Sequence, residues 1–343
     1  MNAQAEVGYH ARQRARWHWS EVAFWILALA CAFVFPSRYL IMTDIVRLAL
    51  FALSLDLILG YAGVVSLGHA AFFGVGAYSA GLLALHGIIT EPVVALLAAG
   101  LVAMALGFLT SFLVIRGADL TRLMVTLGIA LLLEALAERF SNITGGTDGL
   151  QGIEMQPVLG LFAFDMFGKV GFFYSLGVLF ALFLLARRIV HSPFGLSLRA
   201  IRNNPLRAAA IGIPVNKRLI AIYTLSAFYA GIAGALFTQT TALASLDVFS
   251  FERSADLLLV LVIGGTGYLY GGLIGAVVFK MLQELFSTIT PQYWQFWIGL
   301  VLVVIVLVGR ARMHRWALWG PNFVIKWFAG RKAVVAIPES DAS

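Results

Sequence analysis

The chain has 343 residues, of which 61% are hydrophobic and only 12% charged, and its mean hydropathy is +0.90. Soluble domains carry charge on about a quarter of their residues, so this composition excludes an ordinary water-soluble fold and implies an integral membrane protein. The formal charge of +7 would suit a nucleic-acid binder, but the cations lie in short loops and tails beside apolar segments, where they set topology instead. Cys31 is the only cysteine, which excludes an intramolecular disulfide and a cysteine-based metal cluster.

Apolar runs of about 20 residues recur along the chain, the length a helix needs to cross a hydrocarbon core of roughly 30 Å, whereas barrel strands alternate over shorter segments. The expected fold is an all-α polytopic membrane protein with about ten transmembrane helices. In chain order the apolar segments are 22–36, 39–59, 66–88, 92–115, 119–138, 170–187, 219–243, 254–269, 271–290 and 293–309. Arg12, Arg14 and Arg16 precede Trp17 and Trp19 as in the front of a signal peptide, but no small-residue cleavage site follows Pro36, and the N-terminus reads as retained.

The positive-inside rule tests the count, because basic loops must share one side of the membrane. The N-terminal tail is basic. Six segments later, Arg187 to Arg218 holds Arg187, Arg188, Arg199, Arg202, Arg207, Lys217 and Arg218 without an acid, and the tail from Arg310 adds Arg312, Arg315, Lys326, Arg331 and Lys332. Both termini and the long basic loop are therefore expected in the cytoplasm. The loop from Arg139 to Lys169, mixed in charge and carrying the turn-forming NITGGTDG, falls outside.

Three stretches are rich in small residues: GYAGVVSLGHAAFFGVGAYSAG (Gly60 to Gly81), SAFYAGIAGALF, with Gly231 four residues from Ala227 and Ala235, and GGTGYLYGGLIGA, with Gly267, Gly271 and Gly275 four apart. Such spacing lets helix backbones approach closely in lipid. The alternative is irregular backbone lining a cavity near the membrane midplane, for which Gly63, Ser66, Gly68, His69, Gly264 and Gly265 are the candidates.

These residues resemble the membrane subunits of ATP-binding-cassette importers for branched-chain amino acids, whose members carry a G-x-x-S-L-G-H-A-x-F-x-G-x-G-A-Y run. SPFGLSLRAIRNNPLRAAAIGIPVNKRLIAIYTLSAFYAGIAGAL is similar to that family's cytoplasmic loop and following helix, and VLVIGGTGYLYGGLIGAVVF to its late glycine-rich segment. Together the matches run from Gly60 to Phe279, in family order. The chain departs at Asn203 and Asn204, where the family usually has an acid, and at Tyr268. The resemblance implies an importer permease fold, half of a translocation path, and four kinds of companion: a second permease, two cytoplasmic ATPases, a periplasmic binding protein and the lipid of a bacterial inner membrane. No G-x-x-x-x-G-K-[ST] phosphate loop occurs, so ATP and its magnesium would belong to the partners, with no cofactor or metal on this chain and no enzymatic role.

Under that reading, residues 1–20 are a cytoplasmic tail, 21–310 the membrane domain with a coupling loop at 188–218, and 311–343 a second cytoplasmic tail. The loop opens at Pro193 and Gly195, offers one or two helical turns, and closes at Gly212 and Pro214. Such a short helix suits a groove on an ATPase. Gly195, Arg199, Arg202, Asn203 and Pro205 form its first part; Arg207, Ala208, Ala209 and Gly212 form its second. A purely topological role for the cations, attracted to anionic lipid, leaves the apolar Ala208–Ala210 run without a purpose.

Ionisable residues inside the apolar segments each need a partner. Asp44 and Arg47 are spaced as an intrahelical pair, as are Lys280 and Glu284. Asp56 and Glu134 are expected to bond a neighbouring helix or lie near a membrane face, with substrate contact as the alternative, and His69 either to make a structural hydrogen bond or to face a pore. The apolar path would suit a branched-chain or other hydrophobic amino acid, and equally urea or short amides. An ion-coupled secondary transporter would need a charge relay and no coupling helix.

Overall fold

A computed structural model describes residues 19–117, 119–165 and 167–308, so expectations about both basic tails lie outside the described residues. Twelve principal helices follow one another among those residues. They are α1 (Trp19–Val34), α2 (Tyr39–Ala62), α3 (Ala70–Leu85), α4 (Pro92–Val114), α5 (Asp119–Arg139), α6 (Lys169–Val190), α7 (Pro193–Asn203), α8 (Pro205–Ala210), α9 (Val215–Thr241), α10 (Phe251–Gly264), α11 (Leu269–Ile289) and α12 (Trp294–Val308). Described residues outside these helices form short helical turns and loops, with isolated bridges at Leu150 to Ala244 and Val158 to Phe162 and no strand.

Every expected apolar segment carries a helix, but six are long and apolar enough to cross a membrane: those ending at Ala62, Val114, Arg139, Val190, Thr241 and Ile289. At 1.5 Å per residue, the 16 residues of α1 and of α3 reach only about 24 Å; α10 and α12 are shorter still, at 14 and 15 residues. The segment expected at 66–88 is helical only from Ala70 to Leu85. Gly63 ends α2 in the left-handed conformation (φ 73°), its N–H donating to Leu59 O, and Val64 N donates to Ile58 O. Glycine adopts that conformation without the Cβ penalty, and Val64–His69 then run as non-helical backbone into α3.

Through Met281 the chain makes one compact unit; from Leu282 onward it makes a second, in which Phe286 stacks on Trp297 with centroids 6.2 Å apart. The core of the first unit is α9, packed mainly against α4, α3 and α2. Its small residues permit the approach: a Cβ added to Gly76 of α3 would strike the Gly231 backbone, one on Gly231 the Ala103 side chain of α4, and one on Gly234 the Phe73 carbonyl. Between apolar helices in lipid, close contact and interhelical hydrogen bonds replace the hydrophobic drive. Thr238 of α9 donates to Ala77 O (3.0 Å), Gln239 to Pro92 O (2.8 Å), and Tyr229 to Leu182 O (2.9 Å). Large apolar side chains instead face outward, including Leu101, Leu109 and Leu113 of α4 and Leu131 and Leu132 of α5.

Two ends of the unit are distinguished by their contacts. At one, Glu21 of α1 pairs with Arg187 of α6, and α2 terminates beside α7. At the other, Asp44 pairs with Arg47 at the start of α2, and the Arg47 guanidinium donates to Thr240 Oγ1 (2.6 Å) at the end of α9. Lys280 Nζ lies 3.9 Å from Asp44, an interhelical partner that helical spacing does not reveal. Glu134 is half-exposed on α5.

Gly76→Ala is expected to lower thermal stability by about 1–3 kcal/mol, because backbone opposes the added methyl. Gly177→Ala, at an open position on α6, should leave stability unchanged or raise it by up to about 1 kcal/mol. Equal melting temperatures for the two purified variants would refute the close packing.

Candidate coupling junction

The basic segment forms two helices where the sequence suggested a single short one. Ser192 caps α7, its Oγ accepting from Gly195 N (3.5 Å), with Pro193 at the first helical position. Asn204 ends α7 with extended dihedrals (φ −160°, ψ 103°), as a residue before proline is driven to do. The same Asn204 then caps α8, accepting from Arg207 N (2.9 Å), and Pro205 is the first residue of that helix. Gly212 (φ 87°) turns the chain towards Pro214 and α9.

The two helices differ in what they bury. Leu198 and Ile201 of α7 are enclosed, and Gly195 fits against Val190 so closely that a Cβ would collide with the carbonyl. In α8 only Ala208 is buried, at 2% exposure, while Leu206 is 83% exposed and Ile211, just after the helix, 71%. Asn203, Pro205, Arg207, Ala209 and Gly212 are exposed beside them. One helix is thus anchored to the protein, and the other presents apolar and cationic side chains outward.

The anchor converges on both glycine-rich interruptions. Arg202 Nη1 of α7 donates to Gly60 O near the end of α2, and a Cβ on Gly63 would come within 3.1 Å of the Arg202 side chain. Arg199, three residues earlier, places its guanidinium 5.3 Å from the Tyr61 ring centroid. Cations near a helix C-terminus are favoured by its terminal carbonyls, typically by about 0.3–1 kcal/mol. Gly267, between α10 and α11, sits against the same Arg202 guanidinium, and its N–H donates to Asp56 Oδ1 at 2.7 Å. Asp56 is fully buried. One turn of α2, Asp56 to Gly60, therefore holds the late glycine turn with a carboxylate and the basic loop with a carbonyl. Asp56 thus bonds across to a neighbouring segment.

The other singled-out residues pack deeper. His69 is 1% exposed, between Phe51 (stacked, 5.8 Å) and Phe72 (edge-on, 5.6 Å). Its Nε2 lies 2.9 Å from Ser54 Oγ and 3.2 Å from Ser226 Oγ. Both serine hydroxyls donate to carbonyls, of Phe51 and Ser54 respectively, so Nε2 is the donor in this trio, joining α2, α3 and α9. Ser66 is fully buried, and Gly68 faces the Thr126 carbonyl of α5 too closely for a Cβ. Gly264, Gly265, Gly271 and Gly275 bring the end of α10 against the start of α11, backbone on backbone.

Sequence reasoning missed the polar residues that complete this arrangement. Leu67 N donates to Thr126 Oγ1 (3.2 Å), and Ala70 N to Ser254 Oγ (3.0 Å). A lone hydroxyl residue in an apolar helix was the available signal, but many such residues merely bond their own helix, as Thr43 does with Tyr39 O.

Residues 38–306 match the family described as branched-chain amino acid transport system / permease component. The chain is 28% identical to the high-affinity branched-chain amino acid transport system permease protein LivM of Escherichia coli over 83% of its own length and 72% of that protein's. It is 31% identical to the probable branched-chain amino acid transport permease protein LivH of Methanocaldococcus jannaschii, over 70% of this chain and 77% of that one. The ribose import permease protein RbsC of Bacillus subtilis is a more distant relative, 29% identical over 46% of this chain and 53% of its own. No solved structure matches. The chain belongs to the branched-chain amino acid transport system permease family.

Proposed function

We propose that this chain is the membrane-spanning permease subunit of an ATP-binding-cassette importer, forming half of a path for branched-chain or other hydrophobic amino acids delivered by a periplasmic binding protein. It works in the inner membrane beside a second permease and two cytoplasmic ATPases, which carry the ATP and magnesium. Residues 21–310 form the membrane domain, with ten crossings and both termini in the cytoplasm. The distribution of cations supports this sidedness, since the stretch from Arg187 to Arg218 has no acid. The short helices α3 and α10 complete their crossings with the non-helical stretches that adjoin them.

The observation that carries the proposal is the junction at Arg202. An ATPase that grips α8 through Leu206, Arg207, Ala209 and Ile211 pulls on a segment whose other half is bonded to the end of α2. Movement of α7 is thereby delivered to Gly60, one turn before the break that starts at Gly63, and to Gly267, within the break between α10 and α11. Interrupted helices bend at such points at low cost. Within this scheme His69 holds the interruption from inside through Ser54 and Ser226, and solute passes the face closed by the second permease.

In the assembled importer reconstituted in vesicles, Arg202→Ala removes a charged hydrogen bond worth about 1.5–3 kcal/mol, and uptake should fall roughly tenfold or more while the complex still assembles and hydrolyses ATP. Ala209→Glu, on the exposed face, should weaken ATPase association and leave the melting temperature of the isolated chain unchanged. Wild-type uptake by both variants would overturn the coupling role. In a Cys31→Ser background, Leu206→Cys should react with a membrane-impermeant maleimide only from the cytoplasmic side; reaction in intact spheroplasts would reverse the topology.

A further inference from the structure

Next to the N-terminus of α7, a recess of about 600 Å³ opens between α4, α6 and α9. Its walls include Met104 and Phe108, one turn apart on α4, and Ile220, Ala221 and Leu225 of α9. The recess is apolar along its length and charged at one end, where Lys217 lines it. From Lys217 to Leu225 is eight residues, about 12 Å along a helix. Ser192 and Phe194, the capping residue and second residue of α7, close the charged end, and the Arg218 guanidinium lies over the Phe194 ring at 5.2 Å. Arg188, in the last turn of α6, is exposed.

We propose that this recess binds an anionic phospholipid, one acyl chain lying along α9 and the phosphate meeting Lys217. An amphiphile matches a site that is apolar for about two helical turns and cationic at one mouth. Basic recesses between membrane helices attract anionic headgroups in this manner. The flanking face of α4 exposes Leu109, Phe112 and Leu113, which suits a lipid boundary, and the stretch from Arg187 to Arg218 supplies no acid to neutralise Lys217. A phospholipid seated here touches Ser192 and Phe194 at the first turn of α7. The inference concerns binding alone and does not depend on the transport reading.

The test is native mass spectrometry of the full chain in mild detergent, incubated with phosphatidylglycerol or phosphatidylcholine of matched acyl chains. Wild type should retain phosphatidylglycerol in preference to phosphatidylcholine. Lys217→Glu should reduce phosphatidylglycerol retention about fivefold or more, the equivalent of one near-surface cation, with phosphatidylcholine unaffected. Ala221→Trp, which fills the recess, should reduce both. Equal retention of the two lipids by wild type, or no response to either substitution, overturns the proposal. So does a photo-crosslinker at position 221 of the assembled importer that captures the second permease in place of lipid.

Discussion

In hydrocarbon, a backbone N–H or C=O without a partner costs several kcal/mol, so helices can be broken only where the protein itself supplies the missing bonds. Among the described residues, the helices are interrupted at Gly63–His69 and at Gly265–Tyr268. Each break is furnished with partners. Thr126 of α5 and Ser254 of α10 take the N–H groups of Leu67 and Ala70, and Asp56 takes that of Gly267. Arg202 approaches from the loop side and occupies Gly60 O. Of these bonds, the one from Ala70 N to Ser254 Oγ is fully buried, and removing that hydroxyl strands an N–H away from water.

The central helix α9 holds those breaks in register. Its glycines and alanines allow α3 and α4 to sit close against it, and its serine, threonine, glutamine and tyrosine side chains bond four neighbouring helices. Aromatic rings fill the space that remains: Phe237 of α9 lies beneath the guanidinium groups of both Arg47 and Arg253, at 4.9 and 5.0 Å. The basic segment bonds beside both breaks through Arg202 of α7, while α8 exposes Leu206 and Arg207.

Much of this was legible in the amino-acid order. Ten apolar stretches, the acid-free basic loop and three glycine-rich runs each reflect a local rule: hydropathy over about twenty residues, charge bias near membrane ends, and small side chains where backbones meet. Asp44 and Arg47 met as an i, i+3 pair because helical geometry alone places them together. The proline and asparagine of RNNP likewise carry the break between α7 and α8, although the sequence reading merged the two into one short helix; a residue before proline is extended, and the same asparagine caps the next helix.

Every partnership between residues far apart in the chain required the tertiary structure. Nothing local tells Arg202 to seek Gly60, or Asp56 to seek Gly267, 211 residues away, and Lys280 meets Asp44 across helices. Helix lengths were also decided there: the run at 66–88 is apolar enough to be read as one span, yet its first residues are non-helical, with Gly68 packed against the Thr126 carbonyl. Periodicity and charge are properties of neighbours in sequence and so determine which segments enter the membrane; the bonding of interrupted backbone is a property of neighbours in space, and only the folded chain brings those together.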